Sequence, residues 1–345
     1  RMFTNSIRRY SLTENKIYSL SEIKEMLILE EEGASALDKE ANSLTEKLFG
    51  KSVFVRGIIE FSNICAKNCL YCGIRRGNKN VIRYHIGKEN LKKIIIDAHN
   101  DNFKTIVLQS GEVDVYDNDI TEVIEYVKSK CNIAITLSMG EKSREQYLEW
   151  KKAGADRYLL RIETTNKKIF EALHPDDDFD NRLKSLMTLK ELGYEAGTGV
   201  MIGLPGQTAE DMARDILFFK ENDFDMLGVG PFIPHNETPL KDIKSVNMSM
   251  VLNFLSAMRL VTYDTNIPAT TSMATLDKEG REKALNAGAN VIMPNYTPQK
   301  YRESYKLYDN KICTKEDAEH TMEFTKKTVE RAGKVLVMDR GDRRR

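Results

Sequence analysis

The stretch that decides how this chain folds and what it binds is Cys65-Ala66-Lys67-Asn68-Cys69-Leu70-Tyr71-Cys72. It follows directly on the apolar-rich segment Val53 to Phe61, so three thiols lie on one short loop after a predicted strand. Three thiolates can each bind one iron of a cubane cluster, which leaves the fourth iron open to a small molecule. The stretch therefore predicts an iron–sulfur site with one exchangeable position.

Two other interpretations of these cysteines stay open at this point. A structural zinc site takes four ligands and usually has a second cysteine or histidine pair elsewhere, whereas Cys131 and Cys313 stand isolated in this chain. Three unconnected buried thiols would leave the clustering within one loop unexplained. The CxxxCxxC spacing, with an aromatic residue directly before the last cysteine, resembles the signature of radical S-adenosylmethionine (SAM) enzymes.

The composition predicts one large domain in a reducing compartment. The chain has 345 residues, of which 41% are hydrophobic, and its 52 basic residues balance 52 acidic ones. This balance gives no net field to attract nucleic acid or an anionic membrane. Apolar runs are far shorter than the roughly 20 residues that span a bilayer. Five cysteines, mostly crowded together, do not make a disulfide framework, so we expect a soluble cytoplasmic protein.

The first residues leave a second location open. Residues 1–13 contain Arg1, Arg8 and Arg9 and several hydroxyl residues, and no acid occurs before Glu14. This composition suits either a frayed basic tail or an organelle transit peptide, which would place the protein in an organelle matrix. The expected segments are a flexible basic N-terminus (1–15), N-terminal helices (16–50), a barrel (51–333) and a C-terminal tail (334–345).

From Val53 onward, short β-branched runs alternate with longer amphipathic segments, which is typical of consecutive βα units. Eight such units favour an α/β fold of the closed (β/α)8 TIM-barrel type with an N-terminal helical extension, although a six-unit barrel with extra elements is an alternative. The predicted strands are Val53–Phe61, Thr105–Gln109, Ile133–Ser138, Arg157–Glu163, Glu195–Ile202, Met226–Phe232, Ile267–Ser272 and Asn290–Pro294.

The predicted helices carry recognisable end signals. Ser19 with Glu22 three residues later has the spacing of a capping box, and Gly154, Gly193 and Gly288 suit left-handed helix C-caps. The predicted helices are Ser19–Glu32, Ala34–Phe49, Lys88–Asn100, Ile120–Lys130, Ser143–Ala153, Thr165–Leu173, Phe179–Leu192, Thr208–Asn222, Met248–Thr262, Lys278–Ala287 and Lys315–Arg331.

Polar residues follow the first four predicted strands, at the end of a barrel where catalytic groups lie. A carboxylate at Glu163 can accept hydrogen bonds from ribose hydroxyls, and the fork of Arg182 matches a carboxylate, although a solvated helix arginine is an equal alternative. By resemblance to radical SAM enzymes, the segment around Gly111 corresponds to a turn that receives the amino group of SAM. The candidate SAM-binding residues are Tyr71, Gln109, Ser110, Gly111, Glu112, Ser138, Glu163 and Arg182.

Arg157 and Arg161 are four residues apart on one predicted strand, so their side chains share a face. Two arginines inside a barrel are costly unless they meet anions. A substrate carboxylate and an internal salt bridge are both suitable partners, and the residues alone do not choose between them. The candidate substrate residues are Thr136, Arg157, Arg161, Thr270, Thr271, Met293, Tyr305 and Tyr308.

Two further patterns are rejected as sites. The segment from Gly203 to Thr208 lacks the GK[ST] ending of a phosphate-binding loop, and Thr208 suits the N-cap of the next helix. His235 stands alone in its loop, and a single loop histidine is usually not a ligand.

Several segments together resemble the HydE family of radical SAM maturases of FeFe-hydrogenase. The resemblance covers about residues 51–331 and is carried by Ile59–Asn63, Leu108–Glu112, Ala153–Arg161, Gly203–Thr208, Gly230–His235 and Ala289–Asn295. It implies one 4Fe-4S cluster on Cys65, Cys69 and Cys72, bound SAM, and a 5′-deoxyadenosyl radical that attacks a cysteine-derived sulfur or iron species during assembly of the diiron subcluster of the hydrogenase H-cluster.

The resemblance also implies a small-molecule or small iron-complex substrate and transient contacts with other hydrogenase maturases and an electron donor. Some family members carry a second, accessory cluster on three C-terminal cysteines, but only Cys313 stands in that region, so none is expected here. Ile162 occupies a position where some members have histidine. The alternatives are an enzyme like methylornithine synthase or biotin synthase acting on a small amino-acid substrate, and a metal-binding scaffold without turnover.

Overall fold

The computed structural model describes residues 16–312 and 318–343. The basic segment 1–13, Cys313 and the first residues of the predicted helix Lys315–Arg331 lie outside the described residues. Within the described part, no helix is long and apolar enough to cross a membrane.

Strands and helices alternate along the described chain, as expected of βα units. The strands are β1 (Ser52–Val55), β2 (Gly57–Ser62), β3 (Thr105–Ser110), β4 (Ala134–Ser138), β5 (Arg157–Leu159), β6 (Glu195–Ile202), β7 (Met226–Pro231), β8 (Pro268–Ala269), β9 (Val291–Ile292) and β10 (Val335–Val337). The helices are α1 (Leu20–Leu27), α2 (Glu31–Phe49), α3 (Lys88–Asn100), α4 (Asp117–Lys130), α5 (Arg144–Ala153), α6 (Lys167–Leu173), α7 (Phe179–Glu191), α8 (Ala209–Asn222), α9 (Met248–Thr262), α10 (Thr271–Leu276), α11 (Gly280–Asn286), α12 (Gln299–Arg302) and α13 (Ala318–Arg331).

Parallel strands follow one another around a barrel, which confirms the predicted fold class. Strands β2 to β7 pair in sequence order, and β8, β9 and β1 pair in a second sheet. The two sheets meet where Met226 bridges Asn266, and β1 runs into β2 after a one-residue interruption at Arg56. Because the strands in both sheets are parallel, their carboxyl ends lie at the same end of the barrel.

The N-terminal helices α1 and α2 cover the outer side of the barrel, against α8 and α9. Helix α1 begins with the predicted capping box, in which Ser19 and Glu22 satisfy each other's backbone N–H groups. Asn253 of α9 donates to the carbonyl of Leu29 at 2.8 Å and so fixes the turn between the two helices. Leu37 and Leu44 of α2 are buried against the barrel helices.

Several helix ends follow the predicted signals. Gly154, Gly193 and Gly288 all have positive φ, as a left-handed cap requires. Thr208 caps α8 through its side chain, and Asp211 completes a capping box. The predicted strand Ile267–Ser272 is wrong beyond Ala269, because the chain turns into α10 at Thr271. The short elements α10, α12 and β10 were not predicted, since such brief segments carry too little periodicity.

Residues 335–343, which the sequence suggests are a tail, pack on the barrel. Strand β10 pairs in parallel with β1, and the following residues turn under the strand amino ends. There the Arg340 guanidinium donates to Asp156 at 3.0 Å, and the Arg343 guanidinium donates to Asp264 at 2.7 Å. This segment closes the end of the barrel opposite the cysteine loop.

Candidate active site

A cavity of about 340 Å³ runs from the cysteine loop down into the barrel. Its walls come from the strand carboxyl ends and the loops that follow them, as in barrels that carry catalytic sites. The candidate residues that line it are Cys65, Cys69, Cys72, Gln109, Ser110, Gly111, Glu112, Thr136, Ser138, Arg161, Glu163, Arg182, Thr270, Thr271, Met293, Tyr305 and Tyr308. Two candidates, Tyr71 and Arg157, are not among the lining residues.

The cysteine loop is bonded to the turn that ends β3. The N–H of Ala66 donates to the carbonyl of Glu112 at 2.8 Å, and the N–H of Glu112 donates to Sγ of Cys65 at 3.4 Å. A Cβ atom at Gly111 would lie 2.3 Å from the carbonyl oxygen of Ile64, so glycine is needed for this approach. The turn after β3 therefore fixes the position of the cysteine loop that follows β2.

Arg83, which was not among the predicted site residues, holds the chain after the last cysteine. The guanidinium of Arg83 donates to the carbonyls of Asn63 at 2.6 Å, Ile74 at 2.7 Å and Arg75 at 2.7 Å. These carbonyls lie on both sides of the three thiols in sequence, so Arg83 ties the two ends of the cysteine loop together. Its only sequence signal was its place in a basic stretch.

The pKa values of the three thiols lie above that of a free cysteine. Burial raises the pKa of Cys65 and of Cys69, and burial with the neighbouring Cys65 raises that of Cys72 to about 12. Thiolates at this site therefore require nearby positive charge, which irons supply. Among the described residues, no group of three His, Cys, Asp or Glu side chains is arranged to hold a single metal ion. Sulfurs that bind three different irons do not converge on one point.

Glu163 and Arg161 lie side by side on the cavity wall. Nε of Arg161 donates to Oε2 of Glu163 at 3.0 Å, and Nη2 donates to the carbonyl of Val200 at 2.8 Å. Glu163 has a φ of 63°, in the left-handed region that non-glycine residues rarely adopt. Its backbone pairs with β6 on both sides, since its N–H donates to Gly199 and its carbonyl accepts from Met201. The neighbouring strand therefore imposes the position of this carboxylate.

Arg182 lines the cavity but is already paired with two acids. Its Nη2 donates to Asp177 at 2.9 Å, its Nε to Glu141, and its Nη1 to the carbonyl of Arg161 at 2.8 Å. Burial lowers the pKa of Arg182, but the Glu141 and Asp177 carboxylates outweigh it and raise that pKa overall. Lys67 joins the same network through Asp177 and through Glu112, at 3.2 Å. A ligand carboxylate would have to share Arg182 with these acids.

The prediction that Arg157 faces a substrate is wrong. Its side chain is fully buried at the closed end of the barrel, where it forms ion pairs with Glu195 and Asp342 and donates to the carbonyl of Arg340 at 2.9 Å. Arg161, which follows the end of β5 at Leu159, lines the main cavity instead. The two arginines therefore do not line the same cavity.

Two groups of cavity residues were not predicted. Arg56 lines the floor, where its Nη1 contacts Sδ of Met226 at 2.7 Å and its Nη2 donates to Gly341 at 3.0 Å. Burial, reinforced by the positive charge of Arg157, lowers the pKa of Arg56 to about 9. On the side wall, Lys311 forms a buried ion pair with Glu60. Both Arg56 and Glu60 interrupt apolar strand sequence, which was the signal available.

The chain has clear relatives among known proteins. Residues 59–219 match the family model of the radical SAM superfamily. The chain is 48% identical, over 96% of its own length and 96% of the relative, to the [FeFe] hydrogenase maturase subunit HydE of Thermotoga maritima. The chain belongs to the HydE family. It is thus a radical SAM enzyme, and this membership implies a 4Fe-4S cluster and SAM.

Solved structures agree with the HydE-family fold. Methylornithine synthase (PylB) superposes with a TM-score of 0.82 at 25% identity, and 96% of each chain is covered. HydG, a maturase of the [FeFe]-hydrogenase, superposes with a TM-score of 0.79 at 19% identity, over 93% of this chain and 73% of HydG. The HydG likeness supports the barrel fold alone.

In this HydE-family chain, the ring of Tyr71 packs against protein. Its hydroxyl lies 2.8 Å from Nε2 of His174, and the two rings meet edge to face. Tyr71 also packs against the small apolar cluster of Leu173, Leu204 and Phe232. The predicted contact of this side chain with SAM is therefore not supported by its position, and the tyrosine instead braces the loop between two cysteines.

Proposed function

We propose that this chain binds one 4Fe-4S cluster through Cys65, Cys69 and Cys72, binds SAM beside it, and acts on a small anionic sulfur- or iron-containing species in assembly of the H-cluster diiron subcluster. The observation that carries this proposal is that three thiols and the cation of Arg161 line one cavity. One end of the cavity suits a cluster and SAM, and the deeper part suits a charged substrate.

When bound, the reduced cluster supplies one electron that cleaves SAM to methionine and a 5′-deoxyadenosyl radical. The protein's part is to position the reactants and to exclude water. We infer that Glu163 accepts hydrogen bonds from the ribose hydroxyls, and that Gly111 lets backbone acceptors approach the amino group of the methionine moiety. We infer that Arg182, which also contacts Glu141 and Asp177, attracts the methionine carboxylate.

The deeper cavity selects the substrate by charge. Arg56 provides one cation, Arg161 provides a second that it shares with Glu163 at 3.0 Å, and Thr136, Thr270 and Thr271 provide hydroxyl groups along the wall. The Thr136 hydroxyl is buried without a hydrogen-bond partner in the described residues, so it is available to hydrogen-bond a ligand. Met293 and Tyr308 complete the walls. This lining favours a compact substrate that carries a carboxylate or another anionic group.

The test is anaerobic reconstitution with iron and sulfide, followed by reduction in the presence of SAM and measurement of 5′-deoxyadenosine. The wild-type chain should bind about four irons and release the nucleoside, whereas Cys69→Ala should lose both cluster and cleavage. Cys131→Ala is the matched control, because Cys131 is the C-cap residue of α4 and does not line the cavity. Iron binding without nucleoside release would favour a non-catalytic metal scaffold.

A second candidate function is the rearrangement of an amino acid, which the superposition on methylornithine synthase favours. Anaerobic turnover with L-lysine separates the two: a product with a shifted carbon skeleton would contradict the maturase proposal. From membership of the HydE family we also propose that the chain makes transient contacts with other hydrogenase maturases and with an electron donor. A content of about eight irons per chain would contradict our proposal of a single cluster.

A further inference from the structure

Arg281, on α11, is a buried guanidinium without a carboxylate partner. The residue is 2% exposed, and among the described residues its one hydrogen bond runs from Nη2 to Oγ1 of Thr271 at 2.8 Å. Its Nε is buried and has no hydrogen-bond partner, and Arg281 forms no ion pair within the described residues. A buried charge is costly unless an opposite charge or several hydrogen bonds compensate it.

Three other buried arginines of this barrel, unlike Arg56, are compensated. Arg157 pairs with Glu195 and Asp342, and Arg182 pairs with Glu141 and Asp177. Arg259 donates from all three of its nitrogens, to Gly288 at 2.8 Å, Tyr263 at 2.6 Å and Asn290 at 3.0 Å. Arg281 therefore differs from them in having donors to spare.

The guanidinium borders a small side pocket of about 40 Å³. Charged residues on its walls are Arg281, Lys311 and Glu60, which together carry one net positive charge. Lys311 is neutralised by its ion pair with Glu60, and Glu60 also accepts from Nδ2 of Asn295 at 3.1 Å. The volume exceeds what one water needs, so the pocket has room for a group the size of a small anion.

The side pocket adjoins the main cavity. Thr271, Lys311, Glu60 and Met293 line both of them, so the pocket opens through the wall that carries the candidate substrate residues. Its position is fixed by tight helix packing: a Cβ atom at Gly280 would lie 2.1 Å from the carbonyl oxygen of Met273. Helix α11 therefore lies directly against α10, whose first residue is Thr271.

We propose that Arg281 and Thr271 form an anion-binding subsite, which takes a singly charged anionic group from the side of the main cavity. Two sources share this chemistry: a free halide-sized ion, and an anionic end of the substrate that reaches past Thr271. The assignment to the substrate rests on the proposed function, whereas the binding of a free ion does not.

Chloride tests the subsite directly. The ³⁵Cl NMR line of sodium chloride broadens when the ion exchanges with a protein site, and we expect Arg281→Met to reduce the excess width about twofold or more, because the charged donor is lost. Arg281→Lys should retain part of the excess. Arg214→Met removes the same charge from an exposed, ion-paired position and should leave the width unchanged.

The melting temperature provides an independent measurement, which also shows whether Arg281→Met still folds. In sodium gluconate, whose anion is too large for the pocket, Arg281→Met should melt at or above the wild-type temperature, because an unpaired buried charge is removed. Replacing gluconate with chloride at equal ionic strength should raise the melting temperature of the wild type more than that of the variant. Equal chloride responses of the two proteins would overturn the proposal.

The source of the anion is decided by competition. Anaerobic L-cysteine should displace the Arg281-dependent chloride signal if the substrate carboxylate reaches the subsite, and should leave it if the site takes a free ion. Equal excess ³⁵Cl line widths for wild type and Arg281→Met would contradict the subsite, whichever anion it binds. Failure of the proposed function is a separate result, seen as no 5′-deoxyadenosine from the wild type.

Discussion

The main-chain N–H of Glu112 points at Sγ of Cys65 across 3.4 Å, so the turn after β3 is bonded to the loop that carries the three thiols. Hydrogen bonds from backbone N–H groups to cysteine sulfur stabilise its thiolate and tune an attached cluster. The contact exists only because Gly111 has no side chain: a Cβ atom there would lie 2.7 Å from Cβ of Cys65. Cluster geometry and the neighbouring strand are thereby coupled.

Gly111→Ala should separate this turn from the cysteine loop. The added methyl group meets backbone, which cannot give way as a flexible side chain can. We expect lower iron content after anaerobic reconstitution and a loss of SAM cleavage of about tenfold or more. Gly87→Ala is the control, because no heavy atom lies within 4 Å of a Cβ atom built there. Normal iron content and activity in Gly111→Ala would contradict the coupling.

The two arginines of the predicted anion site should respond to substitution in different ways. Arg161→Met removes a cation from the cavity, so we expect weaker substrate binding by about 1.5–3 kcal/mol, while SAM cleavage without substrate persists. The measurement is KM against kcat for the coupled reaction, together with 5′-deoxyadenosine release in the absence of substrate. An unchanged KM would remove Arg161 from the substrate site.

Arg157→Met should instead lower the free energy of unfolding by about 1–3 kcal/mol, because the buried hydrogen bonds to Glu195 and Asp342 are lost while both carboxylates stay partly solvated. Chemical denaturation measures this loss. A double-mutant cycle with Asp342→Asn should show coupling, since the two side chains are in contact. Additive effects would mean that the C-terminal segment does not lock onto Arg157.

Glu163→Gln should weaken SAM binding about tenfold, which corresponds to about 1.4 kcal/mol. The amide keeps the shape of the side chain but loses a charge that accepts hydrogen bonds strongly. Equilibrium titration of the cluster-loaded protein with SAM measures the change. Glu171→Gln, on the half-exposed face of α6, is the matched control. Equal SAM affinity of wild type and Glu163→Gln would exclude this carboxylate from the cofactor site.

Asp215 should make the fold less stable as the pH rises. Burial raises its pKa from 3.8 to about 7, although Thr165 donates to Oδ1 from its N–H at 2.7 Å and from its hydroxyl at 2.6 Å. Between these two pKa values the folded state keeps a proton that the unfolded state has lost. Stability contributed by the neutral acid is therefore present below pH 4 and declines toward pH 7.

The comparison for this prediction is Asp215→Asn, which stays neutral at every pH. The difference in unfolding free energy, variant minus wild type, should rise between pH 4 and pH 7, by at most about 1.4 kcal/mol per pH unit. Above pH 7 it should level off. Parallel curves for the two proteins would show that Asp215 titrates at an ordinary pKa in the folded state.

Local signals predicted most of the framework. Helices α3 (Lys88–Asn100) and α9 (Met248–Thr262) begin and end at the predicted residues. Helix α3 has a clear amphipathic pattern, whereas α9 is a long helix that is buried along most of its length and is capped by Asn247. Strand β5 is shorter than predicted, since the chain leaves the ladder after Leu159 and reaches Glu163 in a left-handed conformation. Apolar sequence alone does not reveal where a ladder ends, because hydrogen bonding to the next strand decides it.

The sequence by itself determined the order of the βα units and the position of the cysteine loop. Both follow from the spacing of residues that are close together in the chain. Which arginine meets which anion was decided only by the tertiary structure. Arg157 is buried among acids and Arg161 lines the main cavity, while Arg56 and Arg281 reach the cavities from distant parts of the chain. Periodicity reports the direction of a side chain, but its depth in a barrel and its partners depend on how all the strands close around it.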